Sequence, residues 1–201
     1  MQKLLLTIAL LTGIHATAHA QRSNISLGLK AGATLSNFIG PDAGSTNRLF
    51  GLQAGGFANI SLSDLVAFQP ELLYSQRGAV VPDRSTEFTR RFHYIDGPLL
   101  FHVNTGGLFF EAGPQLGFLV KAQDKAGGTT TVLPENTFYT VDASYVAGLG
   151  YQRKSGLGTG LRVNGGINNF HKPVAVGATS VQTRARHLAF QLYLTYSVNS
   201  R

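Results

Sequence analysis

The sequence predicts an all-β protein, an eight-stranded antiparallel up-and-down barrel of the transmembrane kind. Three observations carry this. The dominant hydrophobic period beyond residue 20 is two, not 3.6. Eight such runs follow one another, each about as long as a tilted strand needs to cross a bilayer. The connections between them alternate between long and short, as they do when outer loops are long and inner turns are tight. Composition agrees. Charged residues make up only 13% of the 201 residues, and mean hydropathy is +0.05. Soluble domains average about 25% charged. An apolar outer face around a polar lumen gives this balance without any long apolar run.

The first residues read as an export signal. Lys3 supplies a positive start, Leu4 to Ile14 is almost wholly apolar, and Ala18-His19-Ala20 offers the small residues a signal peptidase reads. Cleavage is expected before Gln21, with export through the Sec pathway, leaving a barrel domain over 21–201. The apolar stretch is too short for a membrane anchor, which needs about 20 residues. There are no cysteines, so disulfides, thiol chemistry and Cys-based metal sites are excluded.

The first run, 25–35, alternates Ile25, Leu27, Leu29, Ala31, Ala33 and Leu35 with Ser26, Gly28, Lys30, Gly32 and Thr34. The second, 50–62, sets Phe50, Leu52, Ala54, Ala58 and Ile60 against Gly51, Gln53, Gly55, Phe57 and Asn59. The third, 66–77, sets Val66, Phe68, Pro70, Leu72 and Tyr74 against Gln69, Glu71, Ser75 and Arg77. The fourth, 92–103, has no clear phase, and Gly97-Pro98 within it predicts an edge or a bulge. The fifth, 108–120, places Phe109, Glu111, Gly113, Gln115 and Gly117 on its polar face, and the sixth, 137–151, places Asp142, Ser144, Gly148 and Gly150 there. The seventh, 157–169, gives Gly158, Gly160, Arg162, Asn164 and Gly166, and the eighth, 186–198, gives His187, Gln191, Thr195 and Ser197. The connections 38–49, 78–91, 121–136 and 171–185 are long, whereas 63–65, 104–107 and 153–156 are short. Leu29 and Val141 are expected near the middle of the apolar face.

In lipid every backbone N–H and C=O must be paired inside the protein, so a sheet has to close on itself. Eight strands leave an interior that side chains just fill. Glycines on the polar faces then make room for large inward neighbours. A soluble lipocalin-like barrel would turn the same pattern inside out. Against it, the charges sit on the glycine-rich face, and Tyr139, Tyr151 and Tyr196 lie towards run ends, as interfacial aromatics do.

Several segments carry a resemblance: "SLGLKAGATLSNF" (26–38), "FQPELLYSQRGA" (68–79), "YIDGPLLFHV" (94–103), "FFEAGPQLGFLV" (109–120) and "VAGLGYQRKSGLGTGLRVNGGINNF" (146–170). Across nearly all of residues 21–201 the chain resembles the outer-membrane β-barrel family of the Bacteroidota, called porin-like or PorT-like. The resemblance implies the fold and a place in the outer membrane, and it implies no single activity.

Little points to catalysis. His93, His102, His171 and His187 have no metal-ligand spacing, so no metal, cofactor or catalytic set is expected. A lumen-facing Ser144–His187 pair is conceivable, but Asp142 is two residues from Ser144 on the same face and is not placed to orient the pair. "GLGTG" (156–160) lies in a strand with no helix after it, and so is no phosphate loop. The formal net charge is +7. Nucleic acid is an unsuitable partner for an exported chain with dispersed cations. Outer-membrane lipids and lipopolysaccharide fit better, together with a surface or secretion-system protein.

The best-defined chemistry is the set of inward charges Lys30, Glu71, Glu111, Asp142 and Arg162. Buried charges must pair, and adjacent runs make Arg162–Asp142 the first pair expected. The set reads either as an ion-paired plug or as a selectivity lining. The corresponding functions are a structural or surface-interaction barrel, or else a small porin or a component of a transport or secretion apparatus.

Overall fold

A computed structural model of the chain describes residues 24–82, 87–134, 137–176, 179–181 and 183–198. The expected signal segment, 1–20, lies outside the described residues. The strands in chain order are β1 (Ile25–Ile39), β2 (Asn47–Ser61), β3 (Val66–Val81), β4 (Phe88–Thr105), β5 (Leu108–Ala126), β6 (Thr129–Val132), β7 (Val141–Gln152), β8 (Leu157–Gly166), β9 (Val174–Val176), β10 (Thr179–Val181) and β11 (Arg186–Val198).

Eight of these (β1 to β5, β7, β8 and β11) pair antiparallel in sequence order, and β1 closes on β11. The ring of eight therefore closes without a free edge, and β6 pairs only with β5 beyond it. The tight turns at 62–65, 106–107 and 153–156 all lie at one end, together with residues 24 and 198; we call this the turn end and the opposite one the outer end. At Gly106 and Gly107 the turn takes φ of +58° and +94°, a region open to glycine at little cost.

The pleat sorts the side chains as the period of two requires. Outward lie Leu27, Leu29, Phe50, Leu52, Leu72, Phe110, Leu116, Leu161, Leu192 and Leu194, all exposed. Inward lie Lys30, Gln53, Glu71, Arg77, Asp96, Glu111, Asp142 and Arg162, all buried. Apolar outside and charged inside is the reverse of a water-soluble barrel. The inward glycines answer particular large residues. A Cβ on Gly28 would come within 2.2 Å of the Phe57 ring, and one on Gly160 within 2.4 Å of Tyr193.

The structure departs from the sequence reading in five places. First, the long connections are partly strand. β5 runs on to Ala126, turns at Gly127-Gly128 (φ +53° and +87°), and β6 returns along it with Gln123 opposite Val132. Gly-Gly suits a two-residue hairpin turn, and Thr129 to Val132 are β-branched. Likewise β3 and β4 continue to Val81 and from Phe88.

Second, residues 137–140 are not part of the sixth barrel strand. Phe138 turns into the lumen and bridges to His171, and the Tyr139 N–H donates to Phe170 O at 3.0 Å. Third, β8 stops at Gly166, because the Asn168 side chain accepts the Ala143 N–H (2.6 Å) in place of a ladder bond.

Fourth, Gly97-Pro98 marks neither an edge nor a bulge. β4 lies between β3 and β5 and keeps one register with each across this point; Gly97 and Pro98 pair with Leu116 and Gln115 of β5 though not with β3, and the register shift lies between His93 and Tyr94. Fifth, Val141 is not at mid-face. It opens β7 opposite Phe118 near the outer end, and Leu161 opposite Leu192 lies closer to the middle.

Candidate functional site: the charged lumen

Four strands supply the cluster nearer the turn end: Lys30 from β1, Glu71 from β3, Glu111 from β5 and Arg162 from β8. Lys30 Nζ donates to Glu71 Oε1 at 2.5 Å and lies 4.2 Å from the centre of the Tyr193 ring. Arg162 joins both acids. Its Nη1 and Nη2 donate to Glu71 (3.0 Å each), and its Nε and Nη2 donate to Glu111 (2.7 Å each). Gln69 Nε2 donates to Glu71 (2.8 Å) and the Tyr193 hydroxyl to Glu111 (2.8 Å). Two cations thus meet two carboxylates with every carboxylate oxygen bonded, which is what desolvation demands of buried charges.

A second cluster lies nearer the outer end, around Arg77. Its Nη2 donates to Asp96 (2.8 Å), and its Nη1 to Asp142 (3.0 Å) and to Asn164 (3.4 Å). Ser75 Oγ donates to Asp96 at 2.5 Å, and the guanidinium stacks 4.2 Å from the Tyr94 ring.

All five charges singled out from the sequence are buried in the lumen, but the Arg162–Asp142 pair is not made. Register places Arg162 opposite Gly148, whereas Asp142 lies opposite Gly117. The distance from Gly148 to Asp142 is six residues of strand, about 20 Å at ~3.3 Å per residue. Adjacent strands are not enough; depth along the barrel decides, and Asp142 falls to Arg77.

The period of two puts Arg77 on the correct face, at the end of the third run, whereas β3 continues past it to Val81. Asp96, His102 and Tyr94 were hidden because β4 had no legible phase. Its outer part turns two aromatics in succession, Phe92 and Tyr94, inward, so that neither face of the run reads as polar. No signal in the sequence identifies these residues without the register.

Beyond the Arg77 cluster, Phe38, Phe92, Tyr94, Phe138 and Phe170 pack around His187. Ring centres are 4.6 Å apart for Phe170–His187 and 4.9 Å for Phe92–Phe138, and the Tyr94 hydroxyl lies 3.2 Å from His187 Nε2. Ser144 bonds Asn164 Nδ2 (3.3 Å), so the conceivable Ser144–His187 pair is not formed. Among the described residues no His/Asp/Glu group is arranged to hold a metal. At the turn end a cavity of about 330 Å³ opens, lined by Ser26, Asn59, Gln69, His102, Gln152 and Thr195 among others.

A closed antiparallel barrel with an apolar exterior and ion-paired interior is a β-barrel of the outer-membrane class. The chain belongs to the family described as outer membrane protein beta-barrel domain, whose model matches residues 19–172. No curated protein matches it in sequence. Among solved structures it is similar to Neisserial surface protein A (NspA), at 14% identity and a TM-score of 0.53, with 85% of this chain and 96% of that one covered. It is also similar to Ail, the attachment invasion locus protein of Yersinia pestis, at 12% identity and a TM-score of 0.47, with 86% and 98% covered. The likeness to NspA supports the fold. Family and fold together point to the outer membrane.

Proposed function

We propose that this protein is an outer-membrane barrel closed to solutes, exported through the Sec pathway, whose outer hairpins engage a partner at the cell surface, and that it has no catalytic role. The observation that carries this reading is the set of three buried groups along the lumen: the Lys30–Glu71–Arg162–Glu111 network, the Arg77–Asp96–Asp142 cluster and the aromatic group around His187. An ion crossing the barrel would have to displace paired, desolvated charges, and losing one partner of such a pair typically costs 3–5 kcal/mol. The resemblance of "QPELLYSQ" and "EAGPQLGFL" to the Bacteroidota porin-like group supports the same placement. The partner is a surface protein or a member of a secretion apparatus, held by the outer hairpins.

Planar-bilayer recording tests the closure. The wild type should insert without steady conductance. A large, stable single-channel conductance would overturn the reading and make the protein a small porin or a transport component.

A further inference from the structure

On the outward face, where β3, β4 and β5 leave the apolar belt towards the outer end, a polar patch replaces the leucines and phenylalanines. Tyr74 and Gln76 come from β3, Arg91 and His93 from β4, and Lys121 from β5. The register sets Gln76 beside His93 on one side, and His93 beside Lys121 on the other. The side chains are knit together tangentially to the barrel wall. The Tyr74 hydroxyl lies 2.5 Å from His93 Nδ1, Gln76 Nε2 donates to Tyr74 (3.2 Å), and Arg91 Nη1 donates to Gln76 Oε1 (2.7 Å). One step nearer the bilayer centre the same strands expose Leu72, Ile95, Phe118 and Val120.

Within this patch the charge is one-sided, since it holds no acid. Beyond it, Asp124 pairs with Arg90 at 2.7 Å and Asp42 with Arg184 at 3.4 Å, and the exposed Glu87 lies four residues from Arg91, about 13 Å of strand. Among the described residues no ion pair neutralises Arg91 or Lys121. Two cations at the margin of an apolar belt call for anions from the surroundings, and the guanidinium fork, held by Gln76, matches phosphate geometry. Anionic surfaces attract such juxtamembrane cations at about 1 kcal/mol each, or about fivefold in affinity.

We infer that Arg91 and Lys121, with Gln76 and Tyr74–His93 as a scaffold, form a docking site on the barrel wall for the phosphate groups of a phosphorylated glycolipid in the outer leaflet. The inference rests on the outer-membrane placement. Fractionation tests that placement separately, whereas the following titration in detergent does not depend on it.

Folded barrel in a neutral detergent is titrated with bisphosphorylated lipid A, and bound lipid is counted by native mass spectrometry. Dephosphorylated lipid A and inorganic phosphate serve as parallel titrants. The wild type should bind the phosphorylated lipid in preference, and R91Q/K121Q should bind it roughly 25-fold more weakly, from about fivefold per cation. R91K/K121R should retain most of the affinity. Heat-modifiability on gels confirms that each variant is folded. Equal binding of the dephosphorylated lipid, or affinity unchanged in R91Q/K121Q, would overturn the site. Competition by inorganic phosphate at concentrations comparable to the lipid would assign it to free phosphate and overturn the lipid reading.

Discussion

The two charge clusters of the lumen solve the same problem unequally. Around Arg162 two cations face two carboxylates, and all four carboxylate oxygens are bonded. Around Arg77 one cation faces two carboxylates, and Asp142 Oδ1 and Arg77 Nε are left without a protein partner. The inner cluster is a matched network; the outer one carries a surplus of negative charge. Equal burial therefore does not mean equal dependence on each member, since removing a charge from a matched set strands its partner, whereas removing the surplus one relieves the set.

That difference can be broken by substitution. Glu111→Gln should destabilise the folded barrel by about 3–5 kcal/mol, because Lys30 and Arg162 are left to share one carboxylate. Asp142→Asn should cost about 1 kcal/mol or less, the scale of a single hydrogen bond, because Arg77–Asp96 remains balanced. Denaturant unfolding of the two variants side by side decides it; equal losses would mean that the clusters do not differ.

A second comparison sets depth on the outer face against depth in the lumen. Leu192→Arg, near mid-belt, should cost roughly 2–4 kcal/mol, and Val141→Arg, at the outer rim, roughly 0–1. The reverse ranking in refolding titrations into vesicles would misplace the belt.

The smallest effect expected is at His171, outside the strands at the outer end. Burial first, and the Arg90 guanidinium second, lower its pKa to about 4, against about 6.5 in an unfolded chain. The folded state therefore holds it neutral between these values while the unfolded state is protonated. Its contribution is present above about pH 6.5 and is lost as pH falls towards about 4. His171→Gln should flatten part of the loss of stability between about pH 6.5 and about pH 4. An unchanged pH profile would show that His171 does not contribute.

Much of the barrel was legible from the period of two, because each strand must show one face to lipid. Gly28, Lys30, Glu71, Arg162 and the tight turns followed directly from that constraint. It lapses where the strands rise beyond the belt. There Phe92, Tyr94 and Phe138 turn inward, β4 loses its phase, and the supposed loop over 121–136 holds the β5–β6 hairpin. Pairing in the lumen was beyond reach for a different reason. It depends on stagger around the barrel, which joins Lys30 to Glu71 across forty-one positions of chain and which no local pattern encodes.

The claim that a matched ion network holds the lumen is tested most directly by a double-mutant cycle on Arg162 and Glu111, read by denaturant unfolding. Arg162→Met and Glu111→Gln should each be strongly destabilising. The double variant, which leaves Lys30–Glu71 balanced, should be less destabilised than the sum by more than about 0.5 kcal/mol and up to about 3 kcal/mol. In the parallel cycle, Arg162 and Asp142 should be additive. Additivity within about 0.5 kcal/mol for Arg162 and Glu111, or strong coupling of Arg162 to Asp142 instead, would contradict the network.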